Sequence, residues 1–507
     1  MKTLHIWELN PEEIFVYLEP KFRKDFIDKS LKKFGEINNN QYTGLTNYLN
    51  KKSIVYKNKK SKITKRQIFH WKKGVQFISH KRRVKKKTSI IPVYIPLWCL
   101  LELSKFLKDE KYSKEVIERN IEFYREKSGI PITTLYNGEY KLPIRVTPVF
   151  TSILGHLMGD GCVEGQPYYS QQNKQGLENF KDKVQFVFGK FESKNHDKEL
   201  FIPKLVPKFI KLYYKIKSFS THKTRVPQKL FKEPELHKLS FLSSFLIDEG
   251  GISDKISIHS SNYKVLEGLR MISLSLGIKV LLIENIRDMY ELKISREKEN
   301  ILNLIRKLNY LKEKFPLCDL VHKQYKLDII YSLFTKHRYP YRFKYNKENL
   351  EKKILKILSV PRKDSLEYLE ISKLPTEYGY TTSELQSLLW LKYKYPINCL
   401  NLRLILNGSV NKDVIENIYF NERRKIWGLK EHQRILSPDN KILNILRGKN
   451  LSIRELSKET DLPFNFVEYR LRKVLVKENL VKKNGQIKVT LSNGRIINVS
   501  TWGVNNN

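Results

Sequence analysis

The chain has 507 residues, with 95 Lys and Arg against 53 Asp and Glu and a formal net charge of +42. That balance excludes an ordinary neutral enzyme of metabolism as the default and points to a polyanionic partner. Hydrophobic residues make up 40% and aromatics 12%, enough for several packed domains and too much for a disordered chain. Alanine is absent throughout, so a pressure on codon composition is expected to account for some of the lysine excess. Cys99, Cys162, Cys318 and Cys399 lie far apart. With no C-x-x-C pair, a zinc finger is excluded and a disulfide framework is disfavoured. The longest apolar run, residues 90–101, contains Pro92 and Pro96 and is too short to cross a bilayer. No signal-peptide pattern opens the chain. The expectation is a soluble, intracellular protein of the cytoplasm and nucleoid, without a membrane partner.

In chain order, residues 1–88 read as basic and helical, with helices over 18–34, 42–49 and 64–73, the last closed by Gly74. The third of these, flanked by the basic run 81–87, has the composition of a DNA-recognition helix, but the connector over 50–62 is long for a helix-turn-helix. A basic bundle without groove-reading ability stands as its equal. Residues 89–147 read as a helical linker region that ends in turn-rich sequence. Residues 148–314 change character: short alternating stretches alternate with helices.

An internal repeat is the most informative signal. Shifted by 89 residues, Asp160-Gly161 falls on Glu249-Gly250, Asn173 on Asn262, Leu177-Glu178 on Leu266-Glu267, and Lys204 on Lys293. Gly189 meets Gly277 with a one-residue gap. The economical reading is an α+β architecture of two tandem αββαββα modules, over 148–225 and 226–314. Each acid ends a helix. Gly155 and Gly159, four residues apart, share one helix face, and Ser244 and Asp248 hold the same places in the second copy. If the helices pack by those faces, Asp160 and Glu249 become neighbours at a pseudo-twofold axis. Two carboxylates there repel unless a cation intervenes. Hard oxygen ligands favour Mg²⁺, with Mn²⁺ able to replace it, and such a metal suits phosphodiester hydrolysis. A polar helix end with a C-cap glycine is the bland alternative for either acid taken alone.

The two helix ends, Ile153-Leu-Gly-His-Leu-Met-Gly-Asp160-Gly161 and Leu242-Ser-Ser-Phe-Leu-Ile-Asp-Glu249-Gly250, resemble the signature helices of the LAGLIDADG homing endonucleases. The region 148–312 is similar to a two-motif, single-chain member. Met158 and Ile247 stand where the family name shows its first Asp, and Ser243 and Ser244 replace Ala and Gly. The resemblance implies a pseudo-twofold saddle on double-stranded DNA, a monomer with internal pseudo-symmetry, and intron homing as the biological setting. It implies that each acid serves one strand and that the carbonyls of Gly159 and Asp248 complete the metal shell. It places a basic residue, Lys204 and Lys293 here, near the scissile phosphate. It sets the outward sheet faces in the major groove, with Lys255, Ser257 and His259 from the second module and Tyr168, Ser170 and Gln172 from the first.

Residues 315–435 read as a helical domain rich in tyrosine. Residues 436–502 look like a winged helix-turn-helix: a helix over 441–446, a second over 452–458 with Ser452 and Glu455 spaced as a capping box, a turn at 460–462, and a third over 463–477. Val467, Leu471 and Val474 form its buried stripe. Asn465, Tyr469, Arg470 and Lys473 lie outside, with Arg470 and Lys473 as DNA contacts, and Asn484-Gly485 is the expected wing turn. The leading expectation is a sequence-specific, metal-dependent DNA endonuclease. A non-catalytic DNA-binding regulator and a maturase acting on the RNA of a host intron are the alternatives.

Overall fold

A computed structural model describes residues 2–37, 40–53, 62–82, 85–126, 134–138, 141–192, 195–196, 198–220, 223–253, 255–286, 289–336, 347–361, 379–408, 415–421, 424–429, 438–447, 449–460, 462, 464–477, 479–490 and 496–504. Helix and sheet are mixed throughout, an α+β chain. It divides into two compact units, Met1–Gln324 and Tyr325–Asn507. No helix among the described residues is long and apolar enough to cross a membrane.

The N-terminal part of the first unit corrects the all-helical expectation for residues 1–88. Helices Pro20–Ile37, Gln41–Ser53 and Lys65–Lys73 form. The last is capped by Thr64, whose side chain accepts from the Gln67 N–H, and closed by Gly74 at φ +75°. Ile14–Leu18, however, is a strand of a four-stranded sheet with Ile95–Pro96, Ile121–Glu126 and Leu135–Tyr136. Its alternation of buried Ile14, Val16 and Leu18 is the period-two signal of a half-buried strand. Val75–Arg82 and Lys85–Pro92 pair as antiparallel strands, so Lys81, Arg82 and Lys85–Lys87 of the basic run lie at one end of that ladder. Most of the doubtful 50–62 connector lies outside the described residues.

The two modules follow. In the first, α1 (Pro148–Met158) leads into β1 (Gly161–Cys162), β2 (Tyr168–Ser170), α2 (Lys174–Phe188), β3 (Asn195–His196), β4 (Glu199–Phe201) and α3 (Leu205–Tyr214). In the second, α4 (Glu235–Asp248) leads into β5 (Gly250–Ile252), β6 (Ile256–Ser260), α5 (Tyr263–Ser275), β7 (Glu284–Ile286), β8 (Met289–Lys293) and α6 (Lys298–Lys314). The strand orders are equivalent: β3-β4-β2-β1 and β7-β8-β6-β5.

The 89-residue offset holds down to single hydrogen bonds. The Ser170 N–H donates to the Asp160 carbonyl at 3.1 Å, and the His259 N–H to the Glu249 carbonyl at 3.2 Å. Asn173 caps α2 and Asn262 caps α5. Gly161 and Gly250 are glycine for one reason: a Cβ on Gly161 would lie 2.5 Å from Leu157 Cα, and one on Gly250 2.4 Å from the Leu246 carbonyl oxygen. The chain leaves each helix so sharply that only hydrogen fits.

In the second unit, Leu350, Ile354, Leu385, Leu389, Leu402 and Trp427 are among the core of residues 347–429. Residues 438–504 form a further core from Ile442, Leu456, Val467, Leu471, Leu475 and Trp502. Helices Pro438–Leu446, Ile453–Thr460 and Phe464–Tyr469 are present, with Ser452 and Glu455 in the expected reciprocal cap. Two expectations fail. After Tyr469 the backbone widens into a π-helical stretch, Arg470–Leu475, so the buried position falls on Leu475 and Val474 is only half-buried. Asn484-Gly485 is no turn: Val481–Thr490 runs through it as one strand with a register shift between Lys483 and Gly485. A bulge absorbs the extra residue there. The connection between the paired strands falls at 491–495, with Asn493-Gly494, outside the described residues, as are Asp461 and Pro463.

Candidate active site at the paired helix ends

Helices α1 and α4 pack face to face through the small residues. A Cβ on Gly155 would meet Ser244 Cβ at 2.6 Å, and one on Gly159 would meet Asp248 Oδ2 at 2.8 Å. Hydroxyls stitch the seam: Ser152 Oγ and Ser244 Oγ are 2.8 Å apart, and Ser244 Oγ donates to the Ser152 carbonyl at 2.9 Å. Further along, Ser240 Oγ donates to the Pro148 carbonyl at 2.8 Å. A serine that bonds the facing backbone serves close approach as glycine does.

This contact brings three carboxyls together. Burial first, then the charge of Asp248, raises Asp160 to about 7, against the pull of Lys323. Burial, then Asp160 and Asp248, raises Glu249 to about 7, again against Lys323. Burial likewise raises Asp248 to about 7, although the Tyr169 hydroxyl, Lys183, Lys323 and the Asp160 N–H all favour its charge. Asp248 therefore adds to the cost of charge on Asp160, and Asp160 and Asp248 together add to that on Glu249.

Sequence reading did not anticipate the network behind them. Asp248 Oδ1 accepts from the Tyr169 hydroxyl at 2.6 Å, and its carboxylate lies 3.0 Å from His156 Nδ1. Lys183 Nζ lies 2.8 Å from His156 Nε2. The side chains of His156 and Asp248 are 1% and 0% exposed, and Lys183 is fully buried. An ammonium can only donate, so His156 Nε2 accepts and Nδ1 carries the proton to Asp248. Burial, then Lys183, holds His156 well below its usual pKa, which keeps the ring neutral. Gln171 reaches from Tyr169 Oη to Asp160 Oδ2, at 3.4 and 3.5 Å. A lysine three turns into a helix carries no mark that it will be buried; only the fold reveals it.

The remaining expected residues divide. Tyr168 and Ser170 are half-exposed on β2 with Tyr169 buried between them, the alternation expected, and Gln172 is exposed just beyond the strand. On β6, Ile256 and Ile258 are buried, but Ser257 is only 1% exposed and is not on an open face. Its Oγ lies 3.2 Å from His259 Nε2. The cause is buried Glu291 on β8, which pairs with Lys255, with His259 at 3.6 Å and with Lys293 at 3.5 Å. Lys293 also pairs with Glu284. Lys204 immediately precedes α3 and lines a cleft with Lys208 and Lys211. The cation that the structure sets beside the acids is instead Lys323. In the second unit Lys473 is exposed, but Arg470 is turned inward onto Asp439, with Nε 2.7 Å from Oδ1. An outward DNA contact by Arg470 is thereby corrected: its guanidinium is spent on a forked ion pair.

Among the described residues no group of three or more His, Cys, Asp or Glu side chains is arranged to hold a metal ion by itself. The donors at the helix ends are nonetheless oxygens only, and their mutual repulsion is what a hard divalent cation relieves. The residues fit such an ion as part of a shell whose remaining ligands come from elsewhere.

No family model matches the chain, and no curated protein matches it. Among solved structures it is similar to mesophilic variants of the homing endonuclease I-DmoI, at 16% identity over 33% of this chain and 96% of that one, with a TM-score of 0.25. I-DmoI in complex with DNA and Mn gives 16% identity, 32% and 96% coverage and 0.25. I-DmoI in complex with DNA and Ca gives 16%, 32% and 88%, and 0.25.

Proposed function

We propose that the chain is a site-specific, double-strand DNA endonuclease of the LAGLIDADG type, cutting phosphodiesters with Mg²⁺ or Mn²⁺. The observation that carries this reading is the meeting of Asp160 and Glu249. In support, equivalent backbone bonds follow the two acids in the two modules, and the charge of Asp160 raises the cost of charging Glu249. A structural role would favour neutral side chains in such a place; retaining two acids there is the signature of a cation site. A divalent ion bound there supplies a polarised water and stabilises charge on the leaving oxygen.

The chain's own residues then take distinct roles. Asp160 and Glu249 hold the ion, with the Gly159 and Asp248 carbonyls as further oxygens. Gln171 orients Asp160. The two sheets form a saddle over the duplex, with Tyr168, Ser170 and Gln172 on one side and Lys255 and His259 on the other. Lys204, Lys293 and Lys473 contact phosphates. This reading treats residues 436–502 as a winged-helix accessory domain for the same DNA.

The test is selection of cleaved targets from a randomised duplex library with Mg²⁺, wild type beside the Asp160→Asn/Glu249→Gln double variant. Cutting by the wild type and loss in the double variant are expected. Tight binding of one sequence with no cutting in Mg²⁺ or Mn²⁺ would establish the non-catalytic regulator instead. Cutting by the double variant would place the active site elsewhere.

A further inference from the structure

Between α6 and Lys323 the chain crosses the ends of both modules as a strap. Pro316–Cys318 and Val321–Lys323 are short 3₁₀ turns. The strap is fastened on each side: Ser243 Oγ on α4 donates to the Cys318 carbonyl at 3.1 Å, and Asn179 Nδ2 on α2 to the Leu317 carbonyl at 3.3 Å. Cys318 and Leu320 are buried, at 2% and 1% exposed. Asp319 Oδ1 accepts from the Val321 N–H at 3.2 Å. Val321 itself lies at φ +46°. A β-branched residue avoids that region and is held there only when its surroundings over-determine it.

What this constrained turn delivers is Lys323. Its Nζ donates to the Leu246 carbonyl at 2.9 Å and to the Gly250 carbonyl at 2.7 Å. Those two carbonyls bracket Glu249. The same ammonium acts electrostatically on Asp160, Asp248 and Glu249 together. Lys323 lies outside both modules, so the repeat supplies no twin for it.

We propose that Lys323 is a built-in counter-cation of the acid pair, a positioning residue that holds the Glu249 helix end in place and neutralises part of the carboxylate charge before a metal arrives. It rests on the endonuclease reading above and deepens it: the two half-sites are unequal, one clamped by the strap and one not. Two consequences follow, of opposite sign. Removing the ammonium takes a positive charge from beside the cation site, so a divalent ion binds more tightly there. Removing it also frees the Glu249 turn, so the strand that Glu249 serves is cut more slowly.

The experiment compares wild type, Lys323→Met and Lys323→Arg in the full-length chain. Mn²⁺ binding without DNA is measured by titration calorimetry. Cleavage of each strand of the selected target is followed separately, and Glu249→Gln identifies the strand that Glu249 serves. Lys323→Met is expected to bind Mn²⁺ roughly tenfold more tightly, to cut the Glu249 strand at least about tenfold more slowly, and to change the other strand less than about threefold. Lys323→Arg, which keeps the charge, is expected to bind Mn²⁺ as the wild type does. Unchanged or weaker Mn²⁺ binding in Lys323→Met overturns the counter-cation role, because mere loosening of the fold weakens a metal site. Equal slowing of both strands overturns the unequal clamping. Failure of the endonuclease reading is separately visible: the wild type would cut nothing, while the Mn²⁺ titration would still decide the role of Lys323.

Discussion

The two modules share an architecture to the single hydrogen bond and differ at the position before the acid. The first has Gly159, the second Asp248. Glycine there gives the room that the partner's carboxylate occupies; His156 and Tyr169 of the first module give that carboxylate its bonds, and Lys183 bonds His156 from behind. One module therefore contributes a socket and the other a plug. Repeated sequence sets the frame, and one non-repeated substitution determines how the two halves interlock. The difference also teaches where the stabilisation lies. The outer ends of α1 and α4 are joined by hydroxyls, and the inner ends by a buried ionic network whose members cannot be removed singly without stranding a charge.

Erasing the acids common to both modules is the severest change. Asp160→Asn and Glu249→Gln are each expected to lower cleavage about a thousandfold, while duplex affinity measured in Ca²⁺ changes little. Should one variant still nick a single strand, the modules act independently; should both lose all cutting, they act as a unit.

The plug comes next. Asp248→Gly copies the first module's residue and abolishes the asymmetry, leaving Lys183 and His156 buried without their acid. A loss of roughly 3 kcal/mol is expected in urea unfolding of the first unit. Gly155→Val presses a branched side chain into Ser244 and is expected to cost about 1–3 kcal/mol.

Proton uptake gives a third measure. Asp160, Asp248 and Glu249 titrate near 7 in the fold against 3.8 to 4.5 outside it. Between those limits the folded state holds more protons than the unfolded one, so stability falls as pH rises from about 4 to 7. Thermal melting across pH 5 to 8 without metal is expected to show that decline, and Asp160→Asn/Glu249→Gln to flatten it. Adding Mg²⁺ at pH 8 is expected to restore the lost stability. Because buried His156 and His237 have the opposite slope, the deciding comparison is between the two proteins: the same pH profile in the wild type and in the double variant would contradict the burial of these acids.

The mildest test addresses the sheets. The second sheet's face is tied up by Glu291, and among the described residues no matching acid is paired on the first. Glu291→Gln takes the buried acid from Lys255 while Lys293 keeps Glu284, so non-specific duplex binding is expected to tighten up to about threefold and its salt dependence to steepen by about one ion.

Sequence alone reached the parts of this arrangement that depend on local spacing. The acid-glycine pairs and the small-residue face of α1 are readable because the residues that define each lie within a few positions of one another, and the 89-residue offset because the same short patterns, Asn173 and Asn262 among them, recur at one spacing. Residues that acquire meaning through distant partners were not readable. Lys183 is one of many lysines until α2 lays it on His156. Asp248 looks like a charged residue on a contact face until Gly159 is seen opposite. Arg470 looks like a DNA contact until Asp439 takes it. Asn484-Gly485 carries a turn signal that the long pairing of Val481–Thr490 with Ile496–Val504 overrides, because a bulge preserves the ladder on both sides.

The socket and plug also fix which partner each half will accept. Two copies of the first module would set Gly159 against Gly159, leaving a hollow beneath two histidines and two lysines with no anion between them. Two copies of the second would force Asp248 onto Asp248, two buried acids with nothing to answer them. Neither homotypic pair is a sound assembly, whereas the mixed pair satisfies every member. A symmetric pairing of either half with its own copy is thus disfavoured by one glycine and one aspartate, and their covalent linkage in a single chain ensures that each half always meets its complement.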